Sequence, residues 1–246
     1  MEDIIFGIHP IISLLKNNPK ICKKLFILKN KKKSKIIQQL FCYIKKYNIC
    51  IQQVDKKWLD KQTHNRVHQG LLAYIIHKKH YQQNDIMYLL NKLKNPFILI
   101  LDNITDQHNI GACIRSAVAA NINIIIIPKH FTAKINAVAR KTSCGTTELV
   151  PIIFVKNIIQ ILILFKKHNI NIIGTDSTSN NLIYNYHFTY PLCLIIGSEH
   201  KGIRPLIKKK CDIICSIPTF NNVESLNVSV ATGIILFEII RQNNIK

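Results

Sequence analysis

The stretch "PFILILDNITDQHNIGACIRSAVAANINIIIIP" (residues 96–128) decides how this chain folds. Two apolar runs, 97–101 and 124–127, bracket a loop and a segment whose apolar residues recur at helical spacing. A strand with one wet face alternates apolar and polar residues, whereas a strand buried on both faces reads as a continuous apolar run. Strand, loop, helix and strand within about thirty residues form the repeating unit of a parallel sheet.

The same texture returns downstream in "INIIGTD" (170–176), "PLCLIIG" (191–197) and "CDIICSIP" (211–218). An α/β domain over residues 96–246, with a parallel sheet covered by helices, is therefore expected. Upstream, "IIFGIHPIISLLK" (4–16) predicts a short strand and a helix opening near His9 and Pro10, since Pro suits a first helical turn. "KLFILKN" (24–30) and "NICIQQV" (48–54) predict strands, and residues 34–47 carry helical spacing between them. A small α/β unit over residues 1–76 follows, with a polar, basic linker over 77–95 that leads into a helix.

Charge points to a partner. The chain carries 34 Lys and Arg against 13 Asp and Glu, a formal +21. Residues 1–96 hold 19 of the bases and 5 of the acids. Lysines and arginines that displace condensed counterions supply sequence-independent affinity for phosphates, so a nucleic-acid-binding arm is expected at the amino-terminal side.

Other classes lose weight. The apolar runs fall far short of the ~20 residues that span a bilayer, and Glu2 and Asp3 stand where a signal peptide would be positive. The eight cysteines form no CxxC pair and no zinc spacing, which favours free thiols in a reducing cytoplasm and no metal. No G-x-G-x-x-G, P-loop, G-x-S-x-G or H-E-x-x-H occurs, against hydride transfer, nucleotide hydrolysis, serine hydrolysis and zinc proteolysis.

Three loops at strand ends carry the polar residues of interest. After Asp102, Asn109 is a natural N-cap for a helix from about Ile110 to Ala120. Arg115 stands among Ile114, Ala117 and Val118, where a phosphate or carboxylate partner is expected. In "LIIGSEHKGIRP" (194–205), Gly197 ends a strand and Glu199 lies in a loop closed by Gly202; Glu199 is a site residue or simply a first-turn carboxylate. In "SIPTFNNVESLNVSVATGIILFEIIRQ" (216–242), Ser225 and Asn227 precede an apolar helix two residues apart. One would suffice as a cap, which leaves a surplus polar group for a site.

Together "NIGACIRSA" (109–117), "IIGSEHKGI" (195–203) and "IPTFNNVESLNVSVATGI" (217–234) resemble the three ordered motifs of the SpoU class of RNA ribose 2'-O-methyltransferases. The resemblance spans about residues 97–242. It implies S-adenosyl-L-methionine as cofactor, a deep trefoil knot at the carboxyl end, and a homodimer with the active site near the subunit interface. It places Gly197, Ile217 and Leu226 around the cofactor. It also makes Asn109, Arg115, Glu199, Ser225 and Asn227 the functional polar residues. "IFGIHPIISLL" (5–15) and "NRVHQGLLAYI" (65–75) resemble the ribosomal-protein-like RNA-binding domain of bacterial members that methylate a guanosine ribose in 23S rRNA. 23S rRNA is the partner this implies, with a tRNA-modifying member or a non-enzymatic RNA-binding factor as the alternatives. One departure stands out: His200 occupies the place where a glycine usually follows the glutamate, and it would strain the loop if that position has positive φ.

Overall fold

The computed structural model describes residues 3–30, 34–76, 81–130, 132–133, 135–198, 202–221 and 223–244. Its first strands and helices are β1 (Asp3–Phe6), α1 (Ile8–Asn17), β2 (Cys22–Leu28), α2 (Lys35–Tyr47), β3 (Ile51–Val54), α3 (Lys56–Gln62) and β4 (Leu71–Ile75). There follow α4 (Ile86–Leu90), β5 (Phe97–Leu101), α5 (Gln107–Ala119), β6 (Ile124–Pro128), α6 (Ala137–Thr142), β7 (Ile152–Val155) and α7 (Ile158–Lys167). The chain then forms β8 (Asn171–Thr175), β9 (Leu192–Ile196), α8 (Pro205–Lys208), β10 (Ile213–Cys215) and α9 (Val228–Asn244). It divides into two compact units, residues 1–79 with 135–149, and residues 80–134 with 150–246.

The first unit is a four-stranded sheet in the order β1-β4-β2-β3, with β2 and β3 parallel and the other pairs antiparallel. Alternation along β2 serves both faces. Leu25 and Ile27 join Leu14, Leu40 and Ile44 in one core, while Phe26 joins Phe6, Leu59 and Leu72 in the other. Ser34 caps α2 through its side chain, which accepts from Ile37 N–H at 3.3 Å.

Residues 135–149 were expected inside the carboxyl-terminal domain, yet they pack with the first unit. Ala137 lies against the Phe6 and Phe26 core. Asn18 Nδ2 donates to the Glu148 carbonyl at 3.1 Å. Gly145, at φ +78°, sits so close to Pro10 that an added Cβ would meet its carbonyl oxygen at 2.8 Å. That close approach needs glycine at this position.

The second unit is the expected parallel sheet, six strands in the order β10-β8-β9-β5-β6-β7. All five residues of β5, β6 and β9 are buried, which explains their unbroken apolar character. One face of this sheet, including Ile98, Ile126 and Ile195, shares a core with Leu162 and Phe165 of α7. Residues of the opposite register, such as Leu99, Ile125 and Leu194, are equally buried. Helices α5 and α9 pack on each other, with Cys113 Sγ 3.4 Å from Thr232 Oγ1.

The chain winds outward through β5, β6 and β7, then returns to place β8 and β9 on the other side of β5. In open parallel sheets, ligands bind beyond the carboxyl ends of strands at such a reversal.

Candidate active site

Four strands end at this reversal. β5 delivers Asp102, β8 delivers Asp176, β9 delivers Gly197 and β10 delivers Ser216.

Asp102 is wholly buried and is held by Arg204, whose Nη2 lies 2.7 Å and Nε 3.1 Å from Asp102 Oδ1. An isolated buried carboxylate would cost several kcal/mol, and the guanidinium fork removes that cost with two charge-assisted bonds. The pair joins the loop after β5 to the loop after β9. The latter closes on itself, with Ser198 N–H donating to the Gly202 carbonyl at 3.2 Å and Gly202 N–H to the Ser198 carbonyl at 2.9 Å. Gly202 has φ +58°.

Helix α5 starts earlier than its sequence indicates. Asp106, not Asn109, is the N-cap, and its carboxylate accepts from His108 N–H at 3.2 Å and Asn109 N–H at 3.0 Å. Both residue types cap well, and the more amino-terminal one takes the free N–H groups, which places Asn109 inside the first turn. Asn109 is thereby released to accept from Asn227 Nδ2 at 3.1 Å. Asn227 caps α9 itself: its Oδ1 accepts from Ser229 N–H at 3.0 Å and Ser229 Oγ at 2.6 Å. Ser225 is thus the surplus polar group at this helix start, and it is exposed.

A cavity of about 320 Å³ opens among residues that follow β8, β9 and β10 and the start of α9. Its lining includes Gly197, Ile217, Leu226 and Ser225, four of the residues singled out from sequence. Arg115 is not part of it. That side chain is exposed and makes no hydrogen bond or ion pair to the described residues, on a stripe of α5 shared with His108, Ala112 and Ala119. The partner expected for Arg115 is therefore absent among the described residues. Glu199 and His200 lie outside the described residues.

The lining mixes two kinds of surface. Ile196, Ile217, Leu226 and Ile235 offer apolar surface, while Thr175, Asp176, Thr178 and Lys208 offer polar groups. Burial pushes the Cys215 thiol in this lining up to about 11, so it is protonated at neutral pH and unsuited to nucleophilic attack. Three or more His, Cys, Asp or Glu placed to hold a metal do not occur among the described residues. A cavity of this size, lined by both apolar and polar groups, fits an adenosine bearing a charged tail. Beyond a carboxylate at a strand end, as in "ILD" and "GTD", nothing in the sequence pattern marks Asp176, Lys208 or the pairing of Asp102 with Arg204 as part of a site.

Comparison with known proteins decides the family. Residues 96–237 match the model described as the SpoU rRNA Methylase family, and residues 4–82 match that described as RNA 2'-O ribose methyltransferase substrate binding. The chain belongs to the SpoU rRNA methylase family. It is 40% identical over 246 residues to the 23S rRNA (guanosine-2'-O-)-methyltransferase RlmB of Yersinia pestis, covering 100% of both chains. It is 39% identical over 244 residues to the RlmB of Escherichia coli strain K12, covering 99% of this chain and 100% of that one. The fold of this SpoU methylase is also that of the SpoU methyltransferase AviRb from Streptomyces viridochromogenes, solved in complex with AdoMet. The TM-score is 0.80 at 21% identity, over 99% of this chain and 91% of that one.

Proposed function

We propose that this SpoU methylase transfers a methyl group from S-adenosyl-L-methionine to the ribose 2'-hydroxyl of a guanosine in 23S rRNA. The observation that carries the proposal is the cavity beyond β8, β9 and β10, where Gly197, Ile217 and Leu226 meet Ser225. Family membership and full-length identity to proteins named for this reaction support it.

When bound, the cofactor supplies an electrophilic methyl on sulfur. The protein's task is to align a 2'-oxygen in line with it and to manage one weakly acidic proton. Alignment alone can contribute roughly 7–11 kcal/mol of the barrier. The Asn109–Asn227 bond ties the first turn of α5 to the start of α9, which sets Asn109 to orient the ribose and Ser225 to bond substrate or cofactor beside the cavity. A guanidinium is a permanent cation and a poor base, so Arg115 instead clamps the target phosphate and stabilises the developing alkoxide. Glu199 organises the pocket or takes the proton.

The active form is a homodimer with a knotted carboxyl end, working in the cytoplasm. No described helix is long and apolar enough to cross a membrane. Support for the dimer comes from α9, where Val230 and Phe237, seven residues apart on one face, are 51% and 50% exposed. Such a stripe calls for a covering partner. A Phe237→Asp variant is expected to sediment as a monomer at concentrations where the wild type is dimeric, and to lose methyl transfer. A wild-type protein that sediments as a monomer would sink the dimer.

Residues 1–76, with 135–149 packed onto them, serve as the RNA-binding domain, and 96–134 with 150–246 as the catalytic domain; of the stretch 77–95 expected as linker, α4 joins the core of the second unit. The direct test gives the purified protein methyl-labelled cofactor with unmodified 23S rRNA and, in parallel, tRNA. Label confined to one 23S ribose is expected. Label on tRNA alone would overturn the substrate, and label on neither the enzyme activity.

A further inference from the structure

Two residues of the cavity have no part in the reaction described so far. Among its described lining residues only Asp176 and Lys208 carry charge, and their charges are opposite. Lys208 Nζ donates to Asp176 Oδ2, while Asp176 Oδ1 accepts from Thr178 N–H at 3.0 Å and Thr178 Oγ1 at 2.9 Å. The loop that holds the carboxylate is pinned. Asp176 N–H donates to the Cys215 carbonyl at 3.0 Å, and Ser179 Oγ to the Ile214 carbonyl at 2.8 Å. Only 11% of the Asp176 side chain is exposed, against 35% for Lys208. The nearby Lys166–Asp212 pair differs, because both of its side chains are 42% exposed on the surface. A pair that merely ties a loop to a helix would do as well there, outside any cavity.

A ligand that binds against this ion pair must not leave the Asp176 carboxylate buried and alone, which is strongly penalised, and it does best if it also gives the ammonium a new anion. A zwitterion meets this condition: its cation takes the carboxylate and its anion takes the ammonium, so each charge exchanges one partner for another. S-adenosyl-L-methionine ends in an α-amino acid, which is such a zwitterion. Asp176 would keep both bonds from Thr178 while exchanging Lys208 for the ligand's ammonium. Lys208, on a flexible four-carbon stem, can turn to the ligand's carboxylate.

We propose that Asp176 and Lys208 form the subsite for the amino-acid end of the cofactor, with the apolar surface of Ile217, Leu226 and Ile235 left to the adenosine. The proposal rests on the cofactor assignment made above.

The test is calorimetric and uses the full chain. S-adenosylhomocysteine and 5'-methylthioadenosine share adenosine and a neutral thioether and differ in the amino-acid end. Asp176→Asn and Lys208→Met are each expected to weaken S-adenosylhomocysteine by on the order of tenfold to a hundredfold, the value of a lost charge-assisted hydrogen bond. Binding of 5'-methylthioadenosine should stay unchanged in both variants, which also certifies their fold. An equal loss for both ligands would reduce the pair to a loop support and overturn the subsite, as would no loss for either. A wild-type chain that binds neither ligand would instead remove the cofactor assignment, and the subsite with it.

Discussion

Gly197→Ala is expected to abolish measurable cofactor binding and, with it, methyl transfer. A Cβ at residue 197 would stand 2.1 Å from the Gly202 carbonyl carbon, 2.3 Å from Ile203 N and 2.4 Å from the Gly202 oxygen. These are backbone atoms of the loop that closes through the two Ser198–Gly202 bonds, so no side chain can turn aside to make room. Forcing an extra carbon into such a contact costs typically 1–3 kcal/mol and moves the backbone around it. Gly197 also lines the cavity, so the displacement falls on the ligand's surface. Gly202→Ala separates space from conformation. Nothing lies within 4 Å of its added Cβ, and only the φ of +58° penalises it, by roughly 1–2 kcal/mol. Titration calorimetry and thermal melts on both variants check this. Gly197→Ala binding cofactor as tightly as wild type would show that the loop yields at no cost, and the glycine argument would then be wrong.

Much of this architecture could be read from sequence because burial writes itself into strands. β5, β6 and β9 are sealed on both faces, so polar residues are excluded along them. β7, Ile152–Val155, has no counterpart among the strands expected from sequence. The start of α5 was misplaced because Asp106 and Asn109 are both capping types, and only the backbone shows whose oxygen meets the free N–H groups. Gly197, Ile217, Leu226 and Ser225 were recognisable through ordered motifs, and they do gather at one cavity. By contrast Asp102 and Arg204 lie 102 residues apart, and nothing local announces that one will neutralise the other. Residues 135–149 are similar: the contact of Gly145 with Pro10 is tertiary and leaves no periodic trace.

Arg115→Lys is expected to slow single-turnover methyl transfer at least tenfold, and Arg115→Ala by on the order of 10²–10³, the usual loss when a donor that stabilises a developing oxyanion is removed. Lysine keeps the charge and loses the planar fork, so the difference between the two variants measures geometry apart from electrostatics. The position makes the experiment clean. Arg115 is exposed on the stripe of α5 with His108, Ala112 and Ala119, so its replacement should alter stability by no more than about 0.5 kcal/mol. It does not line the cavity, and the affinity for cofactor alone should therefore stay at the wild-type value. A defect confined to the chemical step, with fold and cofactor affinity intact, is what a group engaged only when RNA arrives must produce. Full single-turnover rate in Arg115→Lys would remove the planar clamp, and full rate in Arg115→Ala would remove Arg115 from the reaction altogether. A guanidinium acting as base is excluded by the pH profile if the wild-type rate levels off below pH ~9, since a guanidinium gives up its proton only in far stronger alkali.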